Sequence, residues 1–152
     1  MSVTLKNLES ALAGESMAHI KYLYFAKLAE EQGFWEVADH FYWTADQEIK
    51  HAWGHLELLI GKPSVVESLE MAIAGETYEY TQMYPEFKQI AQVEKNLKIA
   101  AEFKEQETES KDHAQRFAEV LQKAEKRFAA LAKVEQKHAE AYKQILKEVD
   151  HE

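Results

Sequence analysis

The sequence has no cysteine. That excludes disulfides, thiol catalysis, thiolate-bound zinc and iron–sulfur clusters, so any metal must be held by carboxylates and imidazoles. Breakers are scarce, with 2 Pro and 5 Gly in 152 residues. Together with abundant Ala, Glu, Lys and Leu, this predicts long helices. No run approaches the roughly 18 apolar residues of a membrane span, and the N-terminus lacks a signal-peptide pattern. The expected compartment is the cytoplasm. Basic residues are outnumbered, and the formal charge of −9 argues against a generic nucleic-acid or anionic-membrane surface. It suits the attraction of cations or a basic partner.

What is present is ordinary for a folded chain. Apolar residues make up 46% and charged residues 30%, and the length suits one domain over residues 1–152 with a real core. The periodicity predicts a first helix over about 4–32, with Leu5, Leu8, Leu12, Glu15, Ile20, Leu23 and Lys27 at helical spacing and Gly33 as a stop. A second runs over about 35–60 and carries Val37, Phe41, Thr44, Glu48, His51, His55 and Leu58 on one broad stripe. Gly61-Lys-Pro63-Ser64 is the clearest break, and Ser64 with Glu67 forms a capping box for a third helix. Pro85 predicts a kink or an irregular turn there. Asn96 is the one modest stop before the C-terminus. From there Phe117, Leu121, Ala124, Phe128, Leu131, Glu135, His138, Tyr142, Ile145 and Val149 form a seam at alternating steps of four and three.

Two stretches nearly repeat each other: Asn7-Leu-Glu-Ser-Ala-Leu-Ala-Gly-Glu15-Ser and Ser68-Leu-Glu-Met-Ala-Ile-Ala-Gly-Glu76-Thr. Each is followed by a Glu-x-x-His, Glu48/His51 and Glu135/His138, which turns a carboxylate and an imidazole to one helix face. Glu76 and Glu79 place two carboxylates on one face of the third helix. A bundle of two such helix pairs can hold two metal ions at its centre. Unpaired charge within an apolar stripe is costly, and a cation offsets that cost. Oxygen-rich sites with one imidazole per ion suit iron or manganese, which ligand type alone does not separate.

Other candidates read as structural. Glu148-x-x-His151 is a chance match near the terminus. His19, His40 and His55 suit packing or solvated positions, and Trp35, Trp43 and Trp53 suit core or interface positions. Tyr22, two turns after Glu15, and Tyr84, in Gln-Met-Tyr-Pro, stand where they can hydrogen-bond ligating carboxylates; burial accounts for them equally well.

Assembled, these residues resemble the rubrerythrin branch of the ferritin-like superfamily. The likeness rests on Ala-Gly-Glu15-Ser-Met-Ala-His-Ile-Lys-Tyr22, Ala-Asp-Gln-Glu48-Ile-Lys-His51-Ala, Ala-Gly-Glu76-Thr-Tyr-Glu79-Tyr-Thr-Gln-Met-Tyr84-Pro and Leu-Ala-Lys-Val-Glu135-Gln-Lys-His138-Ala-Glu-Ala-Tyr. It implies an all-α, ferritin-like four-helix bundle with an extended C-terminal helical segment. It further implies a di-iron centre, with Glu48 and a last-helix Glu as bridges, and Glu15, Glu76, Glu79 and two histidines at terminal positions. One of Glu76 and Glu79 is the extra carboxylate that the family links to a redox-dependent iron shift and to peroxide reduction. Many members end in a cysteine-rich rubredoxin domain; a chain without cysteine resembles the short members, whose electrons come from a separate protein. The implied activity is reduction of hydrogen peroxide to water with a rubredoxin-like donor, in a homodimer, with exchange of the tail helix between subunits as one arrangement. Two rival readings are a ferroxidase or iron-handling protein using dioxygen, and a metal-free helical interaction protein.

The fourth-helix ligands are ambiguous. Phe41-x6-Glu48-x2-His51-Ala is echoed as Phe103-x6-Ser110-x2-His113-Ala and as Phe128-x6-Glu135-x2-His138-Ala. Helix length favours the first echo: Glu79 to the Asn96 turn is about 25 Å, the return to Ser110 about 21 Å, and Glu135 overshoots by about 37 Å. Chemistry favours the second, since Ser110 cannot bridge two ions as a carboxylate does. The open resolutions are a turn shifted to about 104–108, a tail exchanged between subunits, or His113 serving with Glu109. The complete pair, Glu135 with His138, is favoured.

Overall fold

The computed structural model describes residues 2–149, so His151 of the terminal Glu-x-x-His lies outside the described residues. The chain is all-α. It divides at Lys62/Pro63 into two compact helical units.

The first unit pairs α1 (Val3–Glu31) with α2 (Trp35–Ile60). Ser2 caps α1, its side chain accepting from the Leu5 N–H. Gly33, at φ +81°, turns the chain, and the Phe34 N–H donates to the Ala29 carbonyl (2.9 Å). The helices meet through small side chains: Ala26 and Ala29 on α1, and Ala38, Ala45 and Ala52 on α2, all buried. The last three recur every seventh residue, the repeat that keeps a seam turned to one neighbour.

The second unit runs α3 (Val65–Tyr78), a π-helical turn (Glu79–Met83), α4 (Tyr84–Val93) and α5 (Leu97–Val149). The capping box at Ser64 is formed: Glu67 N–H donates to Ser64 Oγ, and Ser64 N–H donates to the Glu67 carboxylate (3.2 and 2.7 Å). The donation from the Ser64 backbone holds the Glu67 carboxyl below its ordinary pKa. The irregularity anticipated at Pro85 sits just before it. Tyr84 N–H reaches back five residues to the Glu79 carbonyl, so the helix widens by one residue ahead of the proline, which has no N–H to offer. α5 packs along α3, the π turn and α4.

The two units are copies at the level of single residues. Beyond the π turn the second runs 62 positions behind the first. Ala29, Ala38 and Ala52 correspond to Ala91, Ala100 and Ala114, all buried. The Tyr22–Phe41 and Phe25–Phe41 ring pairs (5.9 and 5.6 Å) correspond to Tyr84–Phe103 and Phe87–Phe103 (6.1 and 5.6 Å). Gly33 corresponds to Lys95, which keeps a positive φ of 63°. One pair differs in kind. The buried Ala26 and Ala45 are replaced by Lys88 and Glu107, whose side chains join α4 to α5. Lys104 adds a second contact at 2.9 Å. The Lys88 and Lys104 ammonium groups hold the Glu107 carboxyl below its usual pKa.

A left-handed conformation that glycine adopts freely is unfavourable for lysine. Lys95→Gly is therefore expected to stabilise the second unit by about 0.5–1 kcal/mol. A higher urea midpoint at unchanged slope checks this.

Candidate metal centres

In the first unit, Glu15 on α1 faces Glu48 and His51 on α2, where alanine contacts bring the helices close. One ligand atom from each of the three residues lies within 4.8 Å of the others. His51 Nδ1 is 3.4 Å from Glu48 Oε2 and 3.8 Å from Glu15 Oε2. The Glu48 carboxyl is held above its ordinary pKa, mainly by a hydrogen bond with the Glu15 carboxyl, then by burial and the Glu15 charge; His51 acts in the opposite sense. Two carboxylates so close share a proton unless a cation replaces it. Three oxygen and nitrogen donors converging with no sulfur suit iron or manganese.

In the second unit, α3 and α5 bring Glu76, Glu79, Ser110 and His113 together. His113 Nδ1 lies 3.5 Å from Glu76 Oε1. The other Glu76 oxygen, Oε2, is buried without a hydrogen-bond partner, an arrangement that is costly for a carboxylate and that a cation would relieve. Ser110 Oγ donates to Glu79 Oε2 at 2.8 Å. Among the described residues no other polar residue is buried as deeply as Ser110. Glu76, His113, Arg116, Phe117 and Val120 line a cavity of about 380 Å³. Burial and the Glu79 and Glu76 charges push the Tyr84 phenol above its ordinary pKa, so it stays protonated at neutral pH.

Glu135 and His138 are on the outer part of α5, 4.0 Å from each other, with side chains 76% and 60% exposed. Glu109 is exposed. Tyr22 and Tyr84 pack on Phe41 and Phe103. The His19 ring donates from Nδ1 to the Ala45 carbonyl (2.8 Å), tying α1 to α2. Trp35, Trp43 and Trp53 are exposed.

Two features escaped the sequence patterns: the Ser110 anchor for Glu79 and the π turn that presents it. Both left a trace. Glu15 precedes Tyr22 by seven residues, whereas Glu76 precedes Tyr84 by eight. The added residue is the one a π turn inserts, and Glu79 opens that turn. The first unit has no carboxylate at the matching place.

Residues 6–121 match the family model for rubrerythrin. The chain is 38% identical over 129 residues to rubrerythrin of Nitratidesulfovibrio vulgaris, covering 76% of this chain and 68% of that protein. It is 33% identical over 147 residues to a putative rubrerythrin of Methanocaldococcus jannaschii (82% and 72%). It is 36% identical over 128 residues to nigerythrin of Nitratidesulfovibrio vulgaris (75% and 63%). A solved structure of mixed-valence nigerythrin shares 34% identity at a TM-score of 0.41, covering 82% of this chain and 68% of that one. The helix pairs and their carboxylate–imidazole groups define an all-α protein with a candidate metal-binding group in each unit. The chain belongs to the rubrerythrin family, non-haem di-iron oxidoreductases. It spans about two thirds of the length of these relatives.

A carboxyl with a raised folded-state pKa contributes stability below its unfolded pKa and loses it as pH rises through the folded value. For Glu48 that loss falls above the ordinary carboxylate range. Metal-free Glu48→Gln is therefore expected to melt higher than wild type at neutral pH, with the gain vanishing in mild acid. Its affinity for ferrous iron falls at least about tenfold. Thermal melts across pH, with and without ferrous ion, check both signs.

Proposed function

We propose that this chain is a di-iron peroxidase that reduces hydrogen peroxide to water, with electrons from a separate rubredoxin-like protein, in the cytoplasm. Among the described residues no helix is long and apolar enough to cross a membrane. The proposed iron ligands are Glu15, Glu48 and His51 in the first unit and Glu76, Glu79 and His113 in the second. Glu135 and His138, favoured by the sequence as the complete pair, are left out because His113 is the imidazole beside Glu76. When bound, iron supplies two electrons and a Lewis acid that polarises the O–O bond.

The observation that carries this reading is Glu79. It is an extra carboxylate without a counterpart in the first unit, presented by a π turn and held at one oxygen by Ser110. Ser110 engages Oε2 and leaves Oε1 available to an ion. The Glu15 carboxyl beside it holds the Glu48 carboxyl above its ordinary pKa, and a cation bound between the two would offset that effect. Tyr84 keeps its phenolic proton beside Glu79 and Glu76, and its ring packs on Phe103. Reduction of one peroxide to two waters consumes two electrons and two protons. The Tyr84 phenol and the Glu48 carboxyl, each held above its ordinary pKa, are the groups best suited to carry those protons.

Protein purified without chelator is expected to carry about two irons per chain by metal analysis. In stopped flow, the reduced protein is expected to oxidise faster with hydrogen peroxide than with dioxygen, and Glu79→Ala to slow the peroxide reaction about a hundredfold. Faster oxidation by dioxygen, with many irons accumulating per chain, would replace this reading with the ferroxidase one.

A further inference from the structure

Beyond about residue 124, α5 runs on past the start of α3, against which its earlier part packs. The turn at Glu94–Asn96 sets Val65, the first residue of α3, level with about residue 125, and the helix continues another 36 Å or so. Every residue from 125 to 148 is exposed, including Phe128, Leu131, Tyr142 and Ile145 of the seam. This segment lies outside residues 6–121, the span that matches the family model.

The overhang carries the face of a helix made to be covered. Phe41, Ala45, Glu48, Lys50, His51 and Ala52 of α2 recur 87 positions on as Phe128, Ala132, Glu135, Lys137, His138 and Ala139. In α2, Ala45 and Ala52 are buried where α1 crosses, at 0% and 2% exposure. The equivalents Ala132 and Ala139 have no covering helix within their unit.

We propose that this segment pairs antiparallel with the same segment of a second copy of the chain, about a twofold axis midway between Glu135 and His138. The seam is its own mirror image about that point. Phe128 meets the partner's Ile145, Leu131 meets the partner's Tyr142, and Glu135 meets the partner's His138, each contact occurring twice. An acid and an imidazole set in an apolar seam are costly to cover unless each finds a counterpart, and this register supplies both. Arg127 and Glu148 flank the seam where each reaches the other across the pair. Ala132 and Ala139 leave room for close approach. The chief rival occupant is the acidic body of another chain. Residues 1–121 carry 11 basic and 21 acidic side chains, against 7 and 4 in residues 122–149. That attraction is real, but it does not account for the mirror order of the seam. The inference is independent of iron.

The test uses the full-length chain in sedimentation equilibrium. Wild type is expected to dimerise. Leu131→Asp with Ile145→Asp is expected to be monomeric with its helical circular dichroism retained. Glu135→His alone and His138→Glu alone oppose like groups and weaken the dimer about tenfold, whereas the double exchange restores it. Because the chain has no cysteine, Lys126→Cys provides one labelling site. Spin labels there are expected about 30 Å apart along the axis in an antiparallel pair. A monomeric wild type, a dimer indifferent to these substitutions, or labels in near contact as a parallel pair requires would each overturn the proposal. So would a labelled tail that lies on the body of another chain.

Discussion

Two carboxyl groups held at one level of two closely packed helices are the constraint on which this protein turns. Alanines at 26, 29, 38, 45 and 52 allow α1 and α2 to approach, and that approach is what brings Glu15 against Glu48. With bulkier seam residues the carboxyls would stand apart, each ionised and solvated, and no cation would be called for. The helix pair therefore sustains an unfavourable apposition that its own packing creates, and the stored repulsion becomes affinity for a positive ion.

The second unit meets the same constraint with different parts. Where the first has two buried alanines, it has the Lys88–Glu107 pair, a charged contact at a position that otherwise demands small size. Where the first has Glu48, it has Ser110. The missing carboxylate is offset from the other helix, by Glu79 on the π turn, and the serine hydroxyl holds it. A single added residue between Glu76 and Tyr84 allows this without disturbing the aromatic cluster beyond. Duplication thus produced two similar scaffolds with unequal donor arrangements. One draws its carboxylates from two helices, the other from a single helix.

Much of this was legible in the residues. Helix limits at Gly33 and at Gly61–Ser64, and the capping box at Ser64, follow from local backbone chemistry, and the observed ends agree to within a residue or two. The duplicated Ala-x-Ala-Gly-Glu segments pointed to Glu15 and Glu76, and the three-residue spacing from Glu48 pointed to His51, which the structure sets beside Glu15 and Glu48. The π turn was legible only as an off-by-one spacing, which Pro85 disguised as a kink. Which echo faces Glu76 is set by where the chain reverses. That reversal rests on Lys95 in a left-handed conformation, which nothing in its side chain announces. Donor chemistry pointed to Glu135 and His138; the turn sets His113 beside Glu76 instead. Ser110 as an anchor was hidden because a serine reads as a lost ligand until its hydroxyl is seen on Glu79.

The alanine interior also inverts the usual vulnerability of a core. Among the described residues no large side chain is fully buried, so where the alanines meet, truncation has little volume to remove. Harm comes from growth. One added methyl group at Ala38 or Ala45 would wedge the helices apart and open the Glu15–Glu48 gap, degrading the site well before the fold itself gave way. Tolerance to substitution in this chain is therefore bounded from above, by bulk.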